Sequence, residues 1–308
     1  MLPIFPIFKK IEVSDKEDVE KITSQFAPYS DFNFLSMWSW DTAGLLQIST
    51  LNDNLVVKFI DYVTKEPFYS FIGKNKVDDT AETLLRFAQS ESITPKLSLV
   101  PEEIIAGLDT NKFVVEEQRD HFDYIYPVNE IITYSGSKQK KHREVLRSFE
   151  RKHKYTTKKL DLTDKPNHKL LINLVDKWIQ NKINRSEINK LDLDDFQNEY
   201  MAIEKVLSAP TDLLKSVVCF SVFVDDELSG FMIDEKVSKD YCISHFGKIN
   251  KSHSGNMQIM MQNSAKTFSE MGVKYYNDEQ DLGLDYLRSA KGSYHLDHFL
   301  KKYSVSLS

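Results

Sequence analysis

Apolar positions in this chain alternate between helical and strand-like spacing. Ser14 followed by Glu17 has the capping-box form and opens a helix to about Phe26. The aromatic-rich stretch from Phe32 to Trp40 predicts a second, short helix. Strand-like runs come next: LLQIST (45–50), LVVKFI (55–60) and FYSFIG (68–73), with an Asn-Asp-Asn turn joining the first two. A helix is predicted at about 79–90, a strand near 96–100 and a short helix after Pro101. The runs FVVEEQ (113–118) and FDYIYPV (122–128) close this half as strands.

The second half opens on a basic helix. A helix from about 168 to 182 carries Leu170, Leu171, Leu174, Val175, Trp178 and Ile179 on one face, and another runs from 195 to 207. VVCFSVFV (217–224), LSGFMIDEKV (228–237) and YCISHFGKI (241–249) read as strands, the first two joined at Asp225-Asp226. After the break at SHSGN, a helix carries Met257, Met260, Met261, Ala265 and Phe268 on one stripe, which we read as core. VKYYN (273–277) is a strand, 284–290 a short helix and the C-terminus a strand. Both halves thus run helix, helix, three antiparallel strands, helix, strand, helix, strand. That order resembles the GNAT acyltransferase fold. The expected architecture is α+β: two GNAT-like domains in tandem, residues 1–128 and 129–308, each a mixed, mostly antiparallel sheet flanked by helices.

Charge adds a feature that hydropathy does not show. Residues 138–159 hold ten Lys/Arg and two Glu, a local charge of +8 in a chain whose net charge is −6. Lys140, Arg143, Arg147, Arg151 and Lys154 follow helical spacing on one face, with Val145, Leu146 and Phe149 opposite. Positive charge concentrated on an acidic protein points to one polyanion met at one place: RNA, a nucleotide or an anionic lipid surface. A solvated helix face is the alternative.

Composition narrows the classes. Apolar residues make up 41 % and charged residues 28 %, ordinary for a globular chain with a sizeable core. Ten glycines are few, and no Gly-rich nucleotide loop or zinc-protease motif occurs. Cys219 and Cys242 lie on apolar strands and read as buried, reduced thiols. The N-terminus lacks the form of a secretory signal, and no apolar run approaches the ~18 residues of a membrane span. The expectation is a cytoplasmic chain. His295 and His298 lack a third ligand at usable spacing, so no metal site is expected.

Candidate chemistry gathers in YYNDEQDLGLDYLRSAKGSYHLDHFLKKY (275–303). Glu279 and Asp281 follow a strand two residues apart and would share a face if the extended conformation continues. Arg288 and Lys291, three apart on the next helix, can reach one anion. In an aminoacyl-transfer site one carboxylate can hold the donor's α-ammonium and another accept the nucleophile's proton, while Arg and Lys stabilise the oxyanion or phosphate. Tyr294 is a candidate proton donor and His245 a candidate general base. Each also has a plainer reading, as ion pairs around a loop, a half-buried aromatic and a structural histidine. In a GNAT domain the loop before the helix that follows the fourth strand cradles the pyrophosphate of coenzyme A. Its counterpart here, NKSHSGNMQ (250–258), has one glycine, Gly255, and in the first half Asp78 and Asp79 would repel a phosphate. Acyl-CoA is therefore disfavoured.

Two segments carry a family resemblance. RDHFDYIYPVNEIITYSGSKQKKHREVLRSF (119–149) is similar to "FDYVY…LSGKKYHKKRN…F", and NDEQDLGLDYLRSAKGSYHLDHFLKKY (277–303) to "NREQDLG…GLRKAK.SYHP…KKY". These patterns belong to the DUF2156 family, relatives of the C-terminal catalytic domain of phosphatidylglycerol lysyltransferases. Lys138, Lys141, His142 and Arg143 fall in the first pattern. Glu279, Gln280, Asp281, Gly283, Arg288, Lys291, Ser293 and Tyr294 fall in the second. Asp278, Glu144 and Leu296 depart from it, standing where the patterns have Arg, Asn and Pro. The resemblance implies a tandem GNAT fold and transfer of an amino acid from aminoacyl-tRNA, a substrate rather than a resident cofactor. The acceptor would be a lipid headgroup or another amine or hydroxyl, a lipid being reached by peripheral contact with an anionic membrane. Lys138, Lys140, Lys141, Arg143, Arg147 and Arg151 would hold the tRNA. The alternatives are a non-catalytic RNA- or protein-binding module on the same fold, and an acyl-CoA N-acyltransferase.

Overall fold

A computed structural model describes residues 1–61, 64–184 and 190–308. The first half contains β1 (Lys9–Lys10), α1 (Lys16–Thr23), α2 (Phe34–Trp40), β2 (Gln47–Leu51), β3 (Asn54–Ile60), β4 (Pro67–Ile72), α3 (Val77–Ser90), β5 (Leu97–Pro101), α4 (Glu102–Ile105) and β6 (Phe113–Glu117). Then come β7 (Asp123–Pro127), α5 (Val128–Thr133), α6 (Lys140–Lys152), β8 (Tyr155–Leu160), α7 (Lys165–Asn184), α8 (Lys190–Leu207), β9 (Val217–Val224), β10 (Glu227–Lys236) and β11 (Tyr241–Ile249). The chain ends with α9 (Asn256–Glu270), β12 (Tyr275–Asn277), α10 (Asp285–Gly292), β13 (His298–Leu300) and β14 (Lys302–Leu307).

Two seven-stranded sheets form, ordered β1-β2-β3-β4-β5-β14-β6 and β13-β7-β12-β11-β10-β9-β8. Each has the same centre. β2–β3–β4 and β9–β10–β11 are antiparallel meanders, and after one helix β5 pairs parallel to β4 and β12 parallel to β11. This is the expected α+β architecture of two GNAT-like units in tandem. By compactness, one unit is Met1–Asp123 with Gln280–Leu287 and Phe299–Ser308. The other is Tyr124–Glu279 with Arg288–His298.

The outer strands depart from a simple repeat. FDYIYP, read as closing the first half, forms β7 and pairs antiparallel with β12 in the second sheet. The C-terminal strand β14, read with the second half, pairs with β5 and β6 in the first. Alternation of apolar residues specifies a strand but not its neighbour. What fits β14 to its place is Lys302, fully buried between Asp123 and Asp31 of the same unit.

Helix faces follow the sequence spacing. α3 buries Val77, Thr80, Ala81, Leu84, Leu85 and Ala88 and packs on β4, β5 and β14. α9 buries Ile259, Met260, Met261, Ala265 and Phe268 against β9, β10 and β11, so the methionine stripe is core. Fully burying a side chain such as Phe268 stabilises the unit by about 2–3 kcal/mol. Cys219 and Cys242 are free and buried. The start of α1 differs from expectation. The capping box closes the 3-10 turn Val13–Asp15 ahead of it, where the Asp15 carboxylate accepts from the Glu12 N–H at 2.9 Å.

The basic run is not one helix. α6 stops at Lys152, and Lys154 leads into β8, which pairs antiparallel with β9 at the sheet edge. Its β-branched residues Thr156 and Thr157 favour that edge, and exposed Lys158 and Lys159 guard it against further pairing.

Candidate active site

The second unit brings several singled-out residues together where β11 and β12 part. β12 pairs with β11 only at Tyr241–Ile243 and ends at Asn277, while β11 continues to Ile249. Within β11, the register against β10 steps from Ile233↔Phe246 to Asp234↔Ser244, which leaves His245 as a bulged residue. A bulge re-aims one side chain and is common beside active sites.

Beyond Asn277 the chain does not remain extended. Glu279 takes φ +54°, so Glu279 and Asp281 do not share a strand face as expected. A non-glycine residue in that region needs restraints. The Glu279 N–H donates to Asn277 Oδ1 at 2.7 Å, and its carbonyl accepts from the Tyr124 N–H at 3.1 Å. Its carboxylate Oε1 lies 3.6 Å from His245 Nδ1 and stays partly accessible. The other ring nitrogen of His245 lies 3.2 Å from Glu235 Oε2. Burial alone would lower the imidazole pKa, but Glu235 and Glu279 more than offset this and push it up to about 9. His245 is therefore an imidazolium at neutral pH and has no lone pair with which to act as the expected general base.

Next to this group, Asp278 accepts an ion pair from Lys291, Nζ to Oδ2 3.3 Å, and Lys291 also donates to the Asp278 carbonyl. The Tyr126 hydroxyl lies 2.9 Å from the Lys291 carbonyl and 3.2 Å from Asp278 Oδ2. Lys291 is thus occupied within the protein rather than paired with Arg288 around one free anion. Tyr294 stacks on His142, ring centroids 4.2 Å apart, and His142 stacks on Tyr134 at 5.5 Å. Burial raises the Tyr294 hydroxyl well above the usual range, so it is a neutral donor. Burial lowers His142. With Gln258 Nε2 at 3.3 Å from Nδ1 and Ser293 Oγ at 3.0 Å from Nε2, the bonding assigns a neutral ring protonated on Nε2.

α6 divides its basic residues by role. Lys140, Lys141, Arg147 and Arg151 on the helix, and Lys138 in the turn before it, are exposed. Arg143 instead donates to the carbonyls of Tyr134 and Gly136, closing the turn after α5. His142 and Phe149 form the buried side of α6. Phe149 sits on Gly255, the glycine just before α9, which has φ +117°. A Cβ at Gly255 would come within 2.6 Å of Phe149 Cβ. The glycine thus permits close packing of α6, and its open face is covered rather than free for a pyrophosphate. Gly255→Ala is expected to cost about 1–3 kcal/mol through overpacking and φ strain, read as a lower urea midpoint at unchanged slope.

In the first unit, Asp281 has no exposed surface. Its Oδ2 lies 3.2 Å from Arg119 and its Oδ1 accepts from the Gly283 N–H at 2.9 Å, so it braces a turn. Sequence reading missed Glu235, Asn277 and Tyr126. The visible signal was Asp234-Glu235, two acids inside an otherwise apolar strand.

The profile of the family "Phosphatidylglycerol lysyltransferase, C-terminal" matches residues 23–306. A protein of unknown function from Bacteroides thetaiotaomicron has the same fold over 100 % of both chains, with TM-score 0.84 and 22 % identity. The C-terminal domain (DUF2156) of a protein named as a lysylphosphatidylglycerol synthetase, from Agrobacterium fabrum, aligns at TM-score 0.65 and 12 % identity, over 95 % of this chain and 91 % of that one. L-PGS from Bacillus licheniformis aligns at TM-score 0.62 and 13 % identity, over 97 % and 92 %. No curated protein matches the sequence. Among the described residues no helix is long and apolar enough to cross a membrane. On the extent of the profile match, the chain belongs to the family of the phosphatidylglycerol lysyltransferase C-terminal domain.

Proposed function

We propose that this chain is an aminoacyltransferase whose donor is aminoacyl-tRNA and whose acceptor is a hydroxyl or amine, such as a lipid headgroup at an anionic membrane surface. The observation that carries this reading is the Glu279 carboxylate, partly accessible beside the imidazolium of His245 at the parting of β11 and β12. In the same unit α6 presents an exposed basic face.

The acceptor's oxygen or nitrogen forms a bond to the aminoacyl carbonyl carbon as the ester bond to the tRNA ribose breaks. The proton lost by the acceptor ends on the ribose oxygen. In this reading Glu279, partly accessible beside His245, takes that proton or holds the donor's α-ammonium. Tyr294, kept neutral by burial, is a hydrogen-bond donor for the developing charge. Lys138, Lys140, Lys141, Arg147 and Arg151 meet tRNA phosphates, while Arg143 and Lys291 hold the local backbone. Arg288, on α10 three residues before Lys291, meets donor phosphate in this reading. The acyl-CoA alternative is disfavoured because Phe149 covers Gly255.

The test is a native gel shift with labelled aminoacylated tRNA, against uncharged tRNA and with acetyl-CoA as competitor. A stronger shift with charged tRNA, unaffected by acetyl-CoA, is expected. Changing both Arg147 and Arg151 to Ala should weaken binding roughly tenfold at physiological salt and reduce the log K–log salt slope by about 2. Unchanged affinity in that double variant would remove α6 from the interface.

A further inference from the structure

The sequence gives no role to Glu235, yet it lies at the base of the site. It is buried on β10, its Oε1 accepts from Ser216 Oγ at 2.8 Å and its Oε2 faces His245 Nε2 at 3.2 Å. His245 faces Glu279 through its other nitrogen. A neutral imidazole has one N–H and one lone pair, so it can satisfy one carboxylate only by turning a lone pair toward the other. Two carboxylates at the two nitrogens fit a ring protonated at both. A buried carboxylate is likewise tolerated only with a charge partner and hydrogen bonds, which His245 and Ser216 supply.

We propose that Glu235 is a positioning residue. By accepting from His245 Nε2 it fixes the imidazolium so that Nδ1–H faces Oε1 of Glu279 as an ion pair. This rests on Glu279 being the carboxylate that touches substrate. Asp234 also acts on the ring, through charge. Asp234, next on β10, is turned to Ser264 of α9 and to the Tyr276 hydroxyl of β12, the latter at 2.8 Å. Burial pushes Asp234 up to about 6. Asp278 is held by Lys291. On β11, Lys248 pairs with Glu199 of α8 at 2.5 Å and lies over the Trp178 ring of α7 at 4.1 Å.

The sign of the pH dependence follows. A histidine raised from 6.5 to about 9 stabilises the fold fully below pH 6.5, and that contribution is lost as the pH rises through 9. The full chain, labelled with ¹⁵N in its histidine rings, is titrated by NMR as wild type and as Glu235→Gln. The His245 signal is identified by its absence in His245→Asn. The expected result is an imidazolium up to pH 8 in the wild type and a midpoint at least tenfold lower in proton affinity in Glu235→Gln. Thermal unfolding between pH 6.5 and 9 should lose its slope in the same variant.

A neutral His245 at pH 7 in the wild type, or the same midpoint in both proteins, overturns the proposal. If Glu235→Gln does not fold, the wild-type titration decides it, a neutral His245 at pH 7 overturning the proposal. In transfer assays the Gln variant should lower kcat with tRNA affinity unchanged. A wild type that transfers nothing while the NMR difference stands would remove the transferase reading and retain Glu235 as the residue that fixes His245.

Discussion

Glu279→Gln is expected to lower aminoacyl transfer by about 10²–10⁴-fold while leaving tRNA affinity near the wild-type value. The amide keeps the size of the carboxylate and both of its backbone restraints, the Asn277 side chain on the N–H and the Tyr124 N–H on the carbonyl. What it loses is the charge that faces His245 on one side and the accessible edge on the other. A proton acceptor or an ammonium ligand would be removed in either case, and both losses fall on the chemical step. The measurement is single-turnover transfer from labelled aminoacyl-tRNA to phosphatidylglycerol vesicles, with hydroxylamine as a small acceptor in a parallel reaction. A rate within threefold of wild type, on protein with an unchanged melting curve, would show that Glu279 does not touch the reactants.

Lys302→Met should be the most damaging change to stability, about 3–5 kcal/mol. Lys302 and Asp123 have no exposed surface. The ammonium lies 2.7 Å from Asp123 Oδ1 and 3.2 Å from Ser30 Oγ, and it pairs with Asp31. Burial alone would lower its pKa, but Asp123 and Asp31 more than offset this and hold it above 10.5. Its contribution is therefore fully present below pH 10.5 and lost only as the pH rises beyond 10.5 through the raised folded-state value. Methionine would match much of the aliphatic stem and leave Asp123 and Asp31 without a cation. Urea denaturation at pH 7 measures the cost, and a change below 1 kcal/mol would mean that the carboxylates find other partners. Adding Asp123→Asn to Lys302→Met should recover part of the loss, because one stranded charge is then gone.

These two residues show what the family-like segment 277–303 contains. Lys302 ties β14 into the first sheet, Asp281 braces a turn with Arg119, and Lys291 is joined to Asp278. Glu279 combines backbone restraint, partial access and a place beside the His245 ring. Similar residue types at similar spacing therefore serve support and chemistry in one segment, and only their surroundings tell the two apart.

The sequence by itself determined the helices and strands whose spacing is local. The meanders 45–73 and 217–249, the methionine stripe of α9 and the α6 face with Phe149 all follow from side chains a few residues apart, which one element places on one side. It also determined where positive charge gathers, because ten basic residues within 22 positions share a surface in whatever fold they adopt. The tertiary structure alone decided which strands are neighbours, so that β7 lies beside β12 and β14 beside β5. It also decided that His245 bulges between Glu235 of β10 and Glu279 of the turn after β12, and that the chain leaves the extended conformation at Glu279. Glu235 is ten positions from His245, and Glu279 is further still. Their meeting is set by pairing across β10, β11 and β12, and so is the charge on the ring, because a pKa depends on which groups lie within a few ångströms rather than on which lie next in the chain.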